Sequence, residues 1–285
     1  MKNEEELVSV YVPTSNRLNM LKRAVKSVLS QDYQNIELLI CDDLSSDGTE
    51  DYVKQLCETD KRIRYFRSAE KSGACAARNL GIFAAKGKYI TGLDDDDEFT
   101  SDRISCFLSA WDDRYSFLCS NYVNKYVDGK VKEYKQKSHK LTLKGLLIEN
   151  LATNQVFTLT ERLQSIGGFD KRALRFQDWD TWIRLCYKYG DFKNIPKTLY
   201  IMNHDHAIGE ARVTRSYPAY KALNDLKERN IEKYSMSDLE IVEYLIKYHE
   251  GTSNLSDALK ATILTREAKF FIKDVLKKVG FIKNI

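Results

Sequence analysis

Four consecutive aspartates, Asp94 to Asp97, form the densest cluster of charge in the chain. Adjacent carboxylates repel one another. A divalent cation relieves that cost: Mg2+ or Mn2+ takes oxygen ligands, typically one or two carboxylates plus substrate phosphates. The plainer alternative is a solvated acidic turn in which Asp97 caps the following helix. A second acidic pair, Asp42–Asp43, stands directly before the turn-forming SSDGT of residues 45–49. A third group, Asp178 and Asp180 in FQDWDTWIRL (176–185), opens a predicted helix. Such acids are also favoured there by the helix dipole alone.

The elements around these acids explain why they matter. VSVYVP (8–13) is β-branched and reads as a strand, and Asn16 is positioned to cap the helix carrying Leu18, Leu21, Val25, Val28 and Leu29. IELLIC (36–41) is a short apolar run of the kind buried in parallel sheets. A helix near 49–58, a strand at IRYF (63–66) and a helix over 74–86 with Gly87 as its C-cap follow. KYITGL (88–93) then runs straight into the aspartates. This βαβαβαβ order predicts an α/β fold with a mostly parallel sheet flanked by helices. Ligands bind such sheets off the carboxyl ends of the strands, where both acidic clusters fall.

The whole chain sets the bounds. Its 285 residues suffice for one large α/β domain with an appendage, or for two small domains. Only three prolines argues against a long disordered linker. A net charge of +4 does not indicate nucleic-acid binding. The six cysteines form no Cys-x-x-Cys pair, which disfavours a zinc cluster and suits reduced thiols in a cytoplasmic protein. MKNEEELVSV is not a secretory leader, and no apolar run is long enough to span a membrane.

Three segments taken together, VSVYVPTSNR, LLICDDLSSDGT and ARNLGIFAAKGKYITGLDDDD, resemble family 2 glycosyltransferases of the GT-A fold, of the kind that build bacterial surface polysaccharides such as O-antigen or capsule. The likeness covers roughly residues 7–105 and extends more weakly to about 210. It implies a glycosyltransferase domain over 1–215, with a nucleotide-binding half to 105 and an acceptor-binding half beyond, and a helical extension over 216–285. It implies inverting transfer of a hexosyl unit from a UDP-sugar to a saccharide acceptor, with Mn2+ or Mg2+ as cofactor. Pro13, Thr14 and Arg17 would line the nucleotide pocket, and Asp43 with Asp42 would meet the base. Arg78 and Asn79 would lie near the base or diphosphate. Asp96 would be the main metal ligand, Asp94 would face metal or ribose, and Asp95 would fill the variable position of an Asp-x-Asp motif. Asp178 aligns with the family's base. Gln177 stands where a glutamate is commoner, and Asp180 is a rival on another helix face.

The same resemblance places IGGFD (166–170) on the acceptor side, where Gly167 and Gly168 permit close backbone approach and Trp179 either stacks on a sugar or packs in the core. It offers His204 or His206 to complete a metal shell, with Arg212 on the diphosphate. Residues 125–144 carry seven lysines against two acids, which suits a lipid diphosphate, a membrane surface or a solvated loop. The segment 255–285 is amphipathic with a net +4. It reads as a helix lying on an anionic membrane or as one packing on protein, a second subunit of a homodimer included. A lipid-diphosphate-linked acceptor, met from the inner face of the plasma membrane, is the expected context. Rival readings are a sugar-phosphate nucleotidyltransferase, which would need a Gly-rich phosphate loop where PTSNR stands, a phosphoacceptor receiver domain, and a non-catalytic nucleotide-sugar binder.

Overall fold

The computed structural model describes residues 6–136, 140–152, 155–205 and 217–278. Its first half alternates as the apolar runs require: β1 (Val8–Thr14), α1 (Leu18–Leu29), β2 (Ile36–Asp42), α2 (Thr49–Thr59), β3 (Ile63–Arg67), α3 (Ala74–Ala84) and β4 (Tyr89–Gly92). These four strands lie parallel in the order β3-β2-β1-β4. Every residue of β1 and β2 is buried because helices cover both faces. Tyr11, Leu39 and Cys41 face one core with Phe169 and Trp182. Val10, Val12, Leu38 and Ile40 face the other with Leu21, Val25 and Val53.

Beyond β4 the chain adds β5 (Glu98–Phe99), α4 (Arg103–Ala110), β6 (Leu118–Tyr126), β7 (Val131–Tyr134), β8 (Lys140–Leu141), α5 (Leu143–Leu146), β9 (Phe157–Leu159), α6 (Thr160–Ser165), α7 (Gln177–Tyr189) and β10 (Phe192–His204). Here the sheet becomes mixed: β9 is antiparallel to β4 and β6, whereas β10 runs parallel to β6. Four C-terminal helices follow, α8 (Ala219–Arg229), α9 (Met236–Glu250), α10 (Leu255–Thr265) and α11 (Lys269–Lys278). Leu223, Leu226, Val242 and Ile246 of α8 and α9 join the core around Trp182. Tyr244, Ala258, Ala261 and Phe270 build a smaller core of their own. No helix among the described residues is long and apolar enough to cross a membrane.

Three expected caps are corrected. Asn16 adopts a left-handed conformation and its side chain accepts from Ser46 N; α1 instead begins after Arg17, and Asp47 Oδ2 accepts from Leu18 N (2.8 Å). The other oxygen of Asp47 takes Thr49 N and Oγ1, so one carboxylate serves the starts of α1 and α2. Gly87 does not cap α3, which ends at Ala84; a Cβ there would lie 2.7 Å from Leu7 O and Ser9 N, so its role is close backbone approach. Asp97 caps no helix. Its oxygens accept from Tyr200 Oη (2.8 Å) and Asn203 N (2.9 Å), tying the acidic turn to β10.

Candidate active site

Register sets the site. Thr14 pairs with Asp42 and Tyr11 with Gly92, so the chain ends leaving β1, β2 and β4 emerge along one edge. A cleft of about 870 Å3 opens there, lined by Pro13, Thr14 and Arg17, by Asp43, by Arg78, by all four aspartates and by the start of α7. His204 closes the wall from β10.

The four aspartates are not equivalent. Asp95 accepts from Thr14 Oγ1 (2.8 Å) and Arg17 Nη1 (3.1 Å). Burial, then the neighbouring Asp96 charge, pushes its carboxyl up to about 6. Asp97 is buried beneath the turn, and burial followed by Asp96 and Asp94 holds it well above the usual carboxylate range. Asp94 and Asp96 remain partly open, with side chains 24% and 19% exposed. Arg17 Nη1 also donates to Asp96 Oδ2 (3.2 Å), while Arg78 Nη2 donates to Asp94 Oδ1 (3.0 Å). Among the described residues no trio of His, Cys, Asp or Glu converges as a self-sufficient metal site. Asp94 and Asp96 are the two partly open carboxylates of the run that could be offered to a divalent cation, whose remaining ligands substrate phosphates would have to supply. His204 stacks on Tyr126 with its Nε2 2.7 Å from Asn124 Oδ1. His206 and Arg212 lie outside the described residues.

At the β2 end the two acids part. Asp43 lines the cleft, its oxygens taking Ser72 N (2.7 Å) and Gly73 N (3.0 Å). Asp42, expected beside it, is corrected: it is fully buried and absent from the lining. Ser45 N and Oγ occupy one of its oxygens and Tyr65 Oη the other. The turn geometry consumes it.

Asn79 and Gly168 are corrected in the same way. Neither lines the cleft. Asn79 Nδ2 donates to Phe169 O (2.8 Å) and its Oδ1 accepts from Phe169 N (2.8 Å), so it clasps the 166–170 loop. Gly168 has φ +65, and a Cβ would stand 2.4 Å from Asn79 Oδ1, so only glycine fits.

The wall facing the aspartates begins at Phe176, a non-glycine residue in the left-handed region (φ 60) directly before α7. Asp178 follows within the cleft; Asn150 Nδ2 donates to its Oδ2 (2.9 Å). Burial pushes the Asp178 carboxyl up to about 6, against the opposing pull of the Trp179 amide and Arg78. Trp179 also reaches the lining but is only 6% exposed, and its Nε1 donates to Leu146 O (2.5 Å). It is mainly a core residue. Asp180 points away, wholly buried against Arg184 Nε (2.9 Å) and Arg229 Nε (3.1 Å). Gln177 Oε1 accepts from Arg78 Nη1 (2.7 Å), so a neutral amide and Asp94 share that guanidinium.

Two residues escaped the sequence reading. Gln155 Nε2 donates to Asp94 Oδ1 (3.1 Å) while its Oε1 accepts from Tyr11 Oη (3.1 Å), and Asn150 orients Asp178. Both stand in the irregular stretch between α5 and β9, where no periodicity marks them.

A parallel sheet with acids at its carboxyl edge, continued by mixed strands that bring a second acidic helix start to the same cleft, is the architecture of GT-A glycosyltransferases. The chain belongs to glycosyl transferase family 2, whose family model matches residues 9–176. It is 37% identical over 262 residues to the putative colanic acid biosynthesis glycosyl transferase WcaA of Escherichia coli (strain K12), covering 84% of this chain and 88% of that one. It is 36% identical over 131 residues to the GalNAc(5)-diNAcBac-PP-undecaprenol beta-1,3-glucosyltransferase of Campylobacter jejuni, covering 46% of this chain and 42% of the relative. Among solved structures, Staphylococcus aureus TarS 1-349 in complex with UDP-GlcNAc superposes with a TM-score of 0.68 at 18% identity, over 93% of this chain and 78% of that one. The mannosyltransferase PcManGT of Pyrobaculum calidifontis, in complex with GDP-Man and Mn2+, gives 0.63 at 15% identity, over 99% and 82%. At these identities the structural likeness establishes the fold.

Proposed function

We propose that this glycosyltransferase moves a hexosyl unit (glucose, galactose or an N-acetyl derivative) from a UDP-sugar to a saccharide acceptor hydroxyl, with inversion. The acceptor in this reading is linked to a lipid diphosphate, in bacterial surface-polysaccharide assembly at the inner face of the plasma membrane, with the C-terminal helices towards the lipid. The observation that carries it is the single cleft in which Asp43, Asp94, Asp96 and Arg78 from the first half meet Asp178 from the second. Residues 1–105 then form the donor half, 106–215 the acceptor half and 216–285 an extension.

In this mechanism Pro13, Thr14 and Arg17 border the nucleotide and Asp43 accepts from its base. Asp178 takes the proton of the acceptor hydroxyl. That oxygen attacks the anomeric carbon as the bond from this carbon to the diphosphate oxygen breaks, the electron pair leaving with UDP. Positive charge builds on the sugar and negative charge on the diphosphate. Mg2+ or Mn2+, held by Asp96 and Asp94 with His204 nearby, would stabilise that leaving charge. Arg78, fixed by Asp94 and Gln177, adds a positive charge on the same side. Incubation with Mn2+ and a panel of nucleotide sugars, with and without lipid-linked acceptors, tests the reading by UDP release. Absence of turnover with every UDP donor would overturn it. The Asp96→Ala variant is expected to lose metal-dependent turnover.

A further inference from the structure

The cleft contains a cation that the transfer chemistry above does not use. Arg17 and Arg78 are each held by aspartates. Arg175, three residues before Asp178, lines the same cleft yet has no carboxylate partner among the described residues. Its Nη1 donates to the carbonyl of Tyr217 (3.0 Å), its guanidinium lies 5.0 Å from the Phe176 ring, and its Nε is buried with no hydrogen-bond partner. Burial lowers its pKa, and no neighbouring acid offsets that cost. A half-buried guanidinium that has one carbonyl contact and a buried, unpartnered Nε gains from an anion that completes it.

The surroundings extend this positive field. His249 of α9 is held below its ordinary value by burial and by Lys277, Arg175 and Lys273, so all three cations act on one place. Lys277 rests on Tyr248, donating to its carbonyl, and Lys273 is exposed on α11. Lys71 also lines the cleft and is exposed, but it adjoins Ser72 and Gly73, the donors to Asp43, which places it at the opposite, nucleotide end.

We infer that Arg175 forms an anion seat beside Asp178 that binds a phosphate group carried by the acceptor, Lys273 and Lys277 lying outside the cleft lining and adding charge only from a distance. A planar guanidinium fork matches phosphate oxygens in pairs. The seat rests on the glycosyltransferase reading above, since it presumes that the donor diphosphate occupies the aspartate end.

The test uses full-length protein saturated with UDP and Mg2+, so that the donor end is filled. UDP affinity is measured first by calorimetry; absence of UDP binding removes the donor reading and this inference together. Farnesyl diphosphate and inorganic phosphate are then titrated separately. Farnesyl diphosphate is expected to bind, and Arg175→Met to weaken it by roughly tenfold or more, the size of one charge-assisted contact. Arg175→Lys is expected to recover part of that loss, and Lys273→Met with Lys277→Met to weaken binding by a smaller factor. UDP affinity and thermal midpoint serve as controls for folding. If inorganic phosphate competes at the seat, the phosphate is the recognised group; if farnesol binds as well as its diphosphate, the inference fails. It fails equally if Arg175→Met binds farnesyl diphosphate as the unsubstituted protein does while still binding UDP.

Discussion

Asp178 and Asp180 stand two residues apart on one helix and live in opposite environments. Asp178 opens into the cleft with one neutral amide, Asn150, on its carboxylate. Asp180 is fully buried between Arg184, Arg229 and Asn230. The second arrangement is an anchor: Arg184 also donates to Ile166 O (2.7 Å) and Gly168 O (2.8 Å), so Asp180 holds the 166–170 loop through it. The first keeps a high proton affinity, because burial outweighs its neutral partner, and that is what the proposed base role draws on. The partner, more than the residue type or the helix position, separates chemistry from architecture here.

The comparison breaks most visibly at turnover. Asp178→Asn is expected to lower transfer by about a hundred- to ten-thousand-fold with UDP affinity kept, as loss of a general base does; calorimetry beside a transfer assay reads both. An equal fall in UDP affinity would end the base assignment. Asp180→Ala should act on the fold instead, costing about 3–5 kcal/mol because it strands two partly buried arginines. Urea unfolding reads that cost, and folded enzyme should keep most of its kcat. Gly168→Ala probes the same anchor and should cost about 2 kcal/mol through positive φ and the clash with Asn79.

Smaller effects sharpen the contrast. With its carboxyl at about 6, Asp178 is base-competent only when deprotonated. The rate should therefore fall below pH 6, level off above it, and lose this limb in Asp178→Asn. For stability the sign is opposite: a carboxyl raised above its unfolded value favours the protonated fold, so its contribution is lost as pH rises towards 6. Asn150→Leu removes a hydrogen bond that lowers the Asp178 pKa, so the acid limb of the rate profile should move to higher pH with a few-fold loss in kcat.

The sequence carried the alternation of the first four strands and three helices almost completely, and physics explains why. β1 and β2 are fully buried, mainly apolar runs that no surface element resembles, and the acids at the ends of β2 and β4 inherit a position from parallel register. Single-residue roles were less legible. Asp42 and Asp43 look alike in sequence, yet the turn turns one inward and one outward. Asn79 follows Arg78 directly but lies on another face of α3, against a loop 90 residues away. Gln155 and Asn150 carry amides in a non-periodic stretch, and only tertiary contact gives them meaning. The Asp178 and Asp180 pair was separable by helix face, which is why the rival reading of Asp180 falls to geometry alone.

The double hydrogen bond between Asn79 and Phe169 has a wider consequence. It ties α3 to the loop that leads into α7, and in the proposed reaction it would help to set the span between the leaving group and the base. Inheritance can then work on the two ends separately. In that reading new sugars could be accommodated at one wall and new acceptors at the other, provided this clasp, with the Arg78–Gln177 and Gln155–Asp94 bonds, keeps the walls at the same distance. In the proposed reading, what is joined could then change while how it is joined stays the same.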